Sequence, residues 1–185
     1  MQDYKINSNY AKALFLLASE SNQQDRVAED MRLVGSVCGE NRELKAVFRN
    51  PEIKPSKKVA IVTDLFASHV CEVTMAFLSF VVRKKRSVNM QGISNSYMDL
   101  YRKDHGVVLM HLTTAVEADS SLQKLASDVV SSYTQKDVEL VAQTDPRIVG
   151  GLALEFDNRM YDARISTQLD KLRIEFAKNI YESKL

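Results

Sequence analysis

Apolar side chains recur every three or four residues from the start of the chain to Asp104. This spacing puts them on one face of a helix, so it predicts a series of amphipathic helices. Breaks between the helices are indicated at Gly39 and at Asn50-Pro51, because proline disfavours a helical residue before it. We predict helices over Tyr4–Ser19, Gln24–Cys38, Glu43–Phe48, Pro55–His69, Val73–Arg83 and Ser87–Asp104.

The pattern changes after His105-Gly106, where short segments rich in β-branched and apolar residues indicate strands. Asp157-Asn158 suits a two-residue hairpin turn, because both residue types tolerate positive φ. Ser120 and Gln123 have the spacing of a capping box at a helix start. We predict strands over Val107–Ala115, Val138–Ala142, Gly151–Phe156 and Arg159–Ala163, a helix from Ser120 with Leu122, Leu125, Val129 and Tyr133 on one face, and a last helix from Ser166 with Ile165, Leu169, Leu172, Phe176 and Ile180 on one stripe.

This order of elements predicts a mainly α protein with two regions. Residues 1–105 are expected to form an N-terminal six-helix bundle, and residues 106–185 a small α/β region that contains a β-hairpin. The second region is small for an independent hydrophobic core. We therefore expect it to gain stability from its neighbour or from a partner.

The first predicted helix is unusually apolar, since Lys12 is the one polar residue between Tyr10 and Ala18. A helix that is apolar nearly all round does not lie with one face in water. Together with the helix that ends near Asp104, it carries more apolar surface than a simple bundle face needs. Two interpretations stay open: this surface is bundle core, or it forms a groove for an amphipathic partner helix.

Charge excludes some classes of function. The chain has 25 Lys+Arg and 24 Asp+Glu, a net charge of +1, which argues against neutralising nucleic-acid phosphates or binding a membrane surface through basic residues. The near-zero total hides a difference between the regions: 16 basic and 12 acidic residues (+4) before residue 106, and 9 and 12 (−3) after it. No apolar stretch approaches the length of a membrane span, and the start of the chain lacks a signal-peptide core, so we expect a cytosolic protein.

Candidate chemistry is sparse. His69 and Cys71 are the one His/Cys pair close in sequence, which is too little for a zinc site, so no metal and no cofactor are predicted. No G-x-S-x-G nucleophile motif is present. Gly150-Gly151 leads into an apolar strand rather than into a helix, which favours a structural role over phosphate binding.

The basic run Arg83–Arg86 keeps alternative functions open. It can be a solvated helix end favoured by the helix dipole, a contact for an acidic protein partner, or part of a nucleic-acid-associated helical protein. Interleaved aromatic residues, which a nucleic-acid surface would favour, are not evident. A hydrolase with a dispersed site is a further alternative.

Three motifs resemble one family. Near the start stands Ser8-Asn9-Tyr10-Ala11-Lys12-Ala13-Leu14, and later Phe77–Arg86 resembles a family helix ending. The most specific match is Asp145-Pro146-Arg147-Ile148-Val149-Gly150-Gly151, followed by Tyr161-Asp162-Ala163 and Leu169-x-x-Leu172. In this order, the motifs resemble the ATP synthase delta subunit, or oligomycin-sensitivity-conferring protein, family. Arg164 is a departure, because the family usually has serine after the Asp-Ala pair.

The resemblance implies a non-catalytic stator subunit of a rotary proton-translocating ATP synthase. In the family, the N-terminal bundle binds the N-terminal helix of an alpha subunit in a groove between its first and fifth helices. The C-terminal region binds the distal end of the b-subunit stalk, so rotor torque drives ATP synthesis. The resemblance also implies a peripheral place at a membrane, held only through the complex and without nucleic acid. The start of the chain lacks transit-peptide character, so we expect a bacterial origin and the cytoplasmic face of the inner membrane. Carried over by position, the partner-binding residues are Tyr10, Ala13, Leu14 and Leu17 on the first helix and Val88, Met90, Ile93 and Tyr97 on the helix ending near Asp104, with Gly150 and Gly151 as structural residues.

Overall fold

A computed structural model describes residues 2–178 of the chain. The chain divides into two compact units, Met1–His105 and Gly106–Leu185. The described residues are mainly helical, with a small mixed sheet in the second unit, which confirms the predicted fold class at this level. Ile180, the last residue of the predicted C-terminal stripe, lies outside the described residues.

The first unit is helical throughout its described length. The predicted helices are present, with two differences. The fourth helix ends at Phe66 rather than His69, and a short 3-10 turn, Ser87–Asn89, precedes the last helix of the unit. The helices are α1 (Gln2–Glu20), α2 (Gln24–Glu40), α3 (Arg42–Arg49), α4 (Pro55–Phe66), α5 (Glu72–Arg83) and α6 (Met90–Asp104).

Helix α6 lies in the middle of the first unit, packed on both α1 and α2. Small residues let α2 approach it closely: a Cβ on Gly35 would stand 2.7 Å from the Ser94 hydroxyl oxygen, and that hydroxyl donates to the carbonyl of Met31. The core that these helices share is apolar and almost wholly buried. Its largest fully buried side chains are those of Leu14, Met31, Phe66, Leu78, Met90, Ile93 and Tyr97.

One buried carboxylate ties α2 to the start of α5. Asp30 is 2% exposed, and its side chain accepts a 2.8 Å hydrogen bond from the Cys71 backbone N–H. Arg26, one turn earlier on α2, lies 3.5 Å from the other carboxylate oxygen. A buried carboxylate is tolerated when it is paired and hydrogen-bonded, so these contacts fix how the two helices meet.

The second unit is built on a four-stranded sheet with the order β2-β1-β3-β4. Strands β1 and β2 are parallel, and β3 is antiparallel to both β1 and β4. The predicted hairpin turn is confirmed, since Asp157 and Asn158 have φ of 44° and 60°. The elements are β1 (Val107–Thr114), α7 (Ser120–Thr134), β2 (Asp137–Thr144), β3 (Leu152–Phe156), β4 (Arg159–Asp162) and α8 (Ile165–Lys178).

Helix α7 packs over β2 and β1 and leaves the β3–β4 side of that face less covered. Its cap differs from the prediction, because Asp119 rather than Ser120 is the N-cap and accepts from the Ser120 N–H. Its buried side also differs: Ala126 and Val130 are buried. The predicted apolar face is largely exposed, at 63% for Leu125, 55% for Val129 and 63% for Tyr133.

Candidate functional site

An apolar groove of about 410 Å³ runs between α1 and α5 in the first unit. Leu17 from α1 and Phe80 from α5 are each 48% exposed, which is unusual for side chains of this size in the same surface depression. The rings of Tyr10 and Phe80 connect the two helices, with centroids 6.3 Å apart. The residues that line the groove are Asn9, Tyr10, Ala13, Leu14, Leu17, Phe77 and Phe80.

The nearly all-apolar sequence of α1 serves two surfaces at once. Ala11, Leu14 and Ala18 recur at three- and four-residue spacing and are buried in the core. Ala13 and Leu17 lie on the adjacent stripe and face the groove, with Leu14 at its floor. One stripe of the first helix is therefore bundle core, and the adjacent stripe lines an exposed apolar groove.

The groove does not involve α6, which corrects one expectation from the sequence. Met90, Ile93 and Tyr97 are 1%, 1% and 0% exposed, so they belong to the core between α1 and α2. Val88 is 54% exposed, but it lies in the 3-10 turn and lines other clefts. An apolar helix stripe predicts burial without saying whether a partner or the chain's own core provides it.

Sequence reasoning missed Phe77 and Phe80 as groove residues. Their helix was predicted as a central one because it is apolar with little interruption. In the structure, Leu78, Val81 and Val82 take the core side of α5. Phe80 is half exposed in the groove, and Phe77 lines the groove while also packing against the core. Two aromatic residues outside the core stripe of an over-apolar helix were the signal that could have identified them.

A positive charge stands at one edge of this groove. The Lys84 ammonium lies 5.4 Å from the centre of the Phe80 ring, within the range of a cation–π contact. Lys84 follows the last residue of α5, where a cation is also favoured by the helix dipole.

The second unit has its own apolar cleft, of about 480 Å³, between α7 and the β3–β4 hairpin. Tyr133 stands over it: the Arg159 guanidinium lies 5.3 Å from the Tyr133 ring centre and donates to the Tyr133 hydroxyl. The rings of Tyr133 and Phe156 meet edge to face at 6.2 Å. The cleft lies on the β3–β4 side of the sheet face that carries α7, and Met160 and Tyr161 are also exposed along it.

Two aspartates of the family-like motifs organise the approaches to β3 and α8. Asp145 accepts from the backbone N–H and the guanidinium of Arg147, which lowers the pKa of its carboxyl. Asp162 is bonded in the same way to Arg164 and also accepts from the Thr167 hydroxyl at 3.0 Å, and these bonds lower its pKa further. Arg164, the departure from the family pattern, is thus the partner of the motif's aspartate.

The glycine pair shapes the start of β3. Gly151 has φ of +84°, and a Cβ there would stand 2.3 Å from the carbonyl oxygen of Ala163. Gly150 accepts a 3.0 Å hydrogen bond from the Ile165 N–H at the start of α8. Gly151 is therefore required both by backbone conformation and by close approach of the chain.

Reactive chemistry is not gathered at either cleft. Burial raises the pKa of Cys38 to about 11, so its thiol is protonated at neutral pH. Between residues 2 and 178, no three His, Cys, Asp or Glu side chains are grouped so that they could hold a metal ion. Over the same residues, no helix is long and apolar enough to cross a membrane.

The chain exposes an apolar groove on its helical unit and an apolar cleft on its small α/β unit. Such surfaces are typical of proteins that bind other proteins. The family model for the ATP synthase delta (OSCP) subunit matches residues 6–176, and the chain belongs to this family. It is accordingly a non-catalytic stator subunit of a rotary ATP synthase rather than an enzyme, and the hydrolase alternative is set aside.

Relatives cover nearly the full length of the chain. It is 31% identical to an ATP synthase subunit delta of Parabacteroides distasonis over 174 residues, covering 94% of this chain and 97% of the relative. It is also 31% identical to one of Cytophaga hutchinsonii over 180 residues, covering 97% and 98%. Its fold is similar to that of a chain in the cryo-EM structure of the Toxoplasma gondii mitochondrial ATP synthase hexamer, with a TM-score of 0.76, 19% identity and coverage of 94% and 98%.

Proposed function

We propose that the α1–α5 groove binds the amphipathic N-terminal helix of an ATP synthase alpha subunit, and that the second unit binds the distal end of the b-subunit stalk. The helices of the first unit then act as the family's six-helix bundle, seated on the catalytic head. Linked in this way, the head is held still while the rotor turns inside it. We infer that this link operates at the cytoplasmic face of a bacterial inner membrane, held there through the complex.

The observation that carries the first half of this proposal is the half-exposed pair Leu17 and Phe80 in one groove. Covering the exposed half of Phe80 removes on the order of 100 Å² of apolar surface from water, which contributes about 2 kcal/mol to binding. Leu17 and Tyr10 add to this. A surface ion pair contributes only about 0–1 kcal/mol, so apolar burial is the main source of a static attachment here.

The second half rests on two exposed apolar surfaces of the second unit. One is the cleft between α7 and the hairpin. The other is the predicted stripe on α8, whose members are exposed in the described part of the chain: Ile165 at 45%, Leu169 at 51%, Leu172 at 47% and Phe176 at 74%. A unit this small gains stability when a partner helix covers such surfaces.

The groove is tested with a peptide that copies the N-terminal helix of the cognate alpha subunit, titrated into the full chain by calorimetry. We expect Leu17→Asp and Phe80→Asp each to abolish binding, because each puts a charge into an apolar contact. Leu65→Asp is the matched control: Leu65 is 42% exposed on α4 and lies outside the groove. Unchanged binding by both groove variants would exclude this site.

The stalk contact is tested in the same way with a soluble segment from the distal end of the b subunit. Leu169→Asp and Leu172→Asp should weaken binding, whereas Val116→Asp, at a loop residue that is 74% exposed, should leave it unchanged. Equal affinity of all three variants would place the stalk contact elsewhere on the chain.

A further inference from the structure

A third cleft, in the first unit, combines apolar walls with basic side chains. It has a volume of about 360 Å³ and lies where the end of α3, the start of α4 and the end of α5 meet. Val88 on its wall is 54% exposed. The cations that line it are Arg49, Lys54, Lys58 and Lys85.

Positive charge is concentrated around this cleft. Residues 42–58 contain six basic and two acidic residues, and residues 83–86 contain four basic ones. These two segments therefore hold 10 of the 16 basic residues found before residue 106. Within residues 2–178, no carboxylate lies at ion-pair distance from the four cations that line the cleft. The carboxylate of Glu52 also lines the cleft, so four cations face one anion there, and the remaining charge of +3 attracts an anionic partner.

Lys58 is the most buried of the four cations that line the cleft. The residue is only 8% exposed, and its ammonium donates a 2.8 Å hydrogen bond to the carbonyl oxygen of Phe48. The Ser87 hydroxyl donates to the same oxygen at 3.3 Å. An ammonium has three donors, and among the described residues this carbonyl is its one acceptor. A buried cation without a counter-ion is costly, so an acceptor from outside the chain would stabilise it.

Lys85 reaches the cleft from a strained backbone position. Its φ is +59°, in the left-handed region where a glycine is usual after a helix. Its N–H donates to the Val82 carbonyl at 2.9 Å, and the N–H of Arg86 donates to the Val81 carbonyl at 3.1 Å, closing the end of α5. A lysine at this position costs backbone energy that glycine would not, so glycine can replace it without adding strain.

We propose that this cleft binds an acidic peptide segment of a partner protein. Carboxylates of the segment pair with Lys54, Lys58 and Lys85, and a neighbouring apolar side chain packs on the exposed Val88. The surface is separate from the α1–α5 groove, so the proposal does not depend on the function proposed above.

The observations favour a peptide over a nucleic acid. Single-stranded nucleic acids need exposed aromatic rings on which bases stack. Phe48 is the one aromatic residue lining the cleft, and at 4% exposure it offers no ring face. The exposed aliphatic wall at Val88 suits an apolar side chain instead.

The test uses the full chain and a synthetic peptide of alternating glutamate and leucine as the probe. A second peptide, with glutamine in place of every glutamate, has the same shape without the charge. Binding is measured by calorimetry, and its location by NMR shifts of the Val82 and Val88 methyl groups. We expect saturable binding of the glutamate peptide with shifts at these methyls, and none for the glutamine peptide.

The double variant Lys54→Gln/Lys85→Gly should weaken binding by at least about tenfold, because it removes two of the paired charges. Lys85→Gly also relieves the strained φ, so the loss is not explained by unfolding. The control Lys103→Gln/Lys124→Gln removes the same charge from exposed positions outside the cleft and should bind as the unchanged chain does.

Lys58→Met keeps the aliphatic stem and removes the buried ammonium, and it should weaken binding by at least as much. If Lys58→Met does not fold, the double variant Lys54→Gln/Lys85→Gly, at exposed positions, still tests whether the cleft binds the peptide. Absence of saturable binding, equal binding of the two peptides, equal loss in the control, or equally effective competition by a single-stranded oligonucleotide would each overturn the proposal.

Discussion

Gly151→Ala should strongly destabilise the second unit, and the structure separates the two causes. The first is conformational: φ at Gly151 is +84°, and a left-handed conformation costs a residue with a Cβ about 1–2 kcal/mol. The second is steric, because the new Cβ would stand 2.3 Å from the Ala163 carbonyl oxygen, a backbone atom that cannot rotate away. Overpacking of this kind costs about 1–3 kcal/mol, so the expected total is about 2–5 kcal/mol.

Two other glycines isolate these causes. Gly106 has φ of +64°, and a Cβ added there would have no neighbour within 4 Å, so Gly106→Ala should cost only the conformational part, about 1–2 kcal/mol. At Gly150, a Cβ would meet only the flexible end of Ile165 at 2.8 Å, so Gly150→Ala should cost about 1 kcal/mol or less.

The free energy of unfolding of the second unit is measured by hydrogen exchange of the β1 and β3 amides, with denaturant unfolding as a second method. The expected order of loss is Gly151→Ala, then Gly106→Ala, then Gly150→Ala. A Gly151→Ala loss no larger than that of Gly106→Ala would show that the contact with the Ala163 carbonyl adds no cost.

Three further predictions concern single side chains. At pH 8, iodoacetamide should label half-buried Cys71 before Cys38, because burial raises the pKa of the Cys38 thiol to about 11. Both cysteines should react in guanidinium, and equal rates in the folded chain would contradict this prediction. The carboxyl of Asp162 has a lower pKa in the folded chain than its ordinary 3.8, so its stabilising effect is present above about pH 4 and is lost as the pH falls. Asp162→Asn should therefore make the thermal unfolding temperature less pH-dependent between about pH 4 and 2. An unaltered pH profile would count against this prediction. Ile93→Ala should cost about 2–5 kcal/mol of unfolding free energy and Val88→Ala about 0.5 kcal/mol or less; similar losses would show that Ile93 is not core.

Element type followed closely from the sequence, because helix periodicity and turn chemistry are local. The hairpin at Asp157-Asn158 is an example, since both residues adopt the positive φ that their side chains tolerate. Helix α7 begins at Ser120 as predicted, but its N-cap is displaced by one residue for an equally local reason: the Asp119 carboxylate accepts the Ser120 backbone N–H.

The site was harder to predict, because periodicity identifies an apolar stripe but not what covers it. On α1, two stripes lie side by side, and the groove residue Leu17 is distinguished from core Leu14 only by the position of neighbouring helices. On α6, the stripe with Ile93 is buried against α1 and α2. The second wall of the groove is therefore formed by α5. Resemblance to the family led us to expect a groove, and tertiary packing decided which helices form it.

In the second unit, an apolar helix face that was expected to be buried is exposed. The α7 face with Leu125 and Tyr133 was grouped correctly as apolar, yet it is exposed, because α7 packs over only part of the sheet. Apolar surface left open on so small a unit is what a stalk-binding partner would cover.

In the function proposed above, this chain holds the catalytic head still through the α1–α5 groove. The most direct test compares ATP hydrolysis with ATP-driven proton pumping in ATP synthase reconstituted in vesicles with the Leu17→Asp/Phe80→Asp double variant. We expect hydrolysis to continue while pumping is lost, and Leu65→Asp to support both. Full pumping with the double variant would show that the groove does not hold the head.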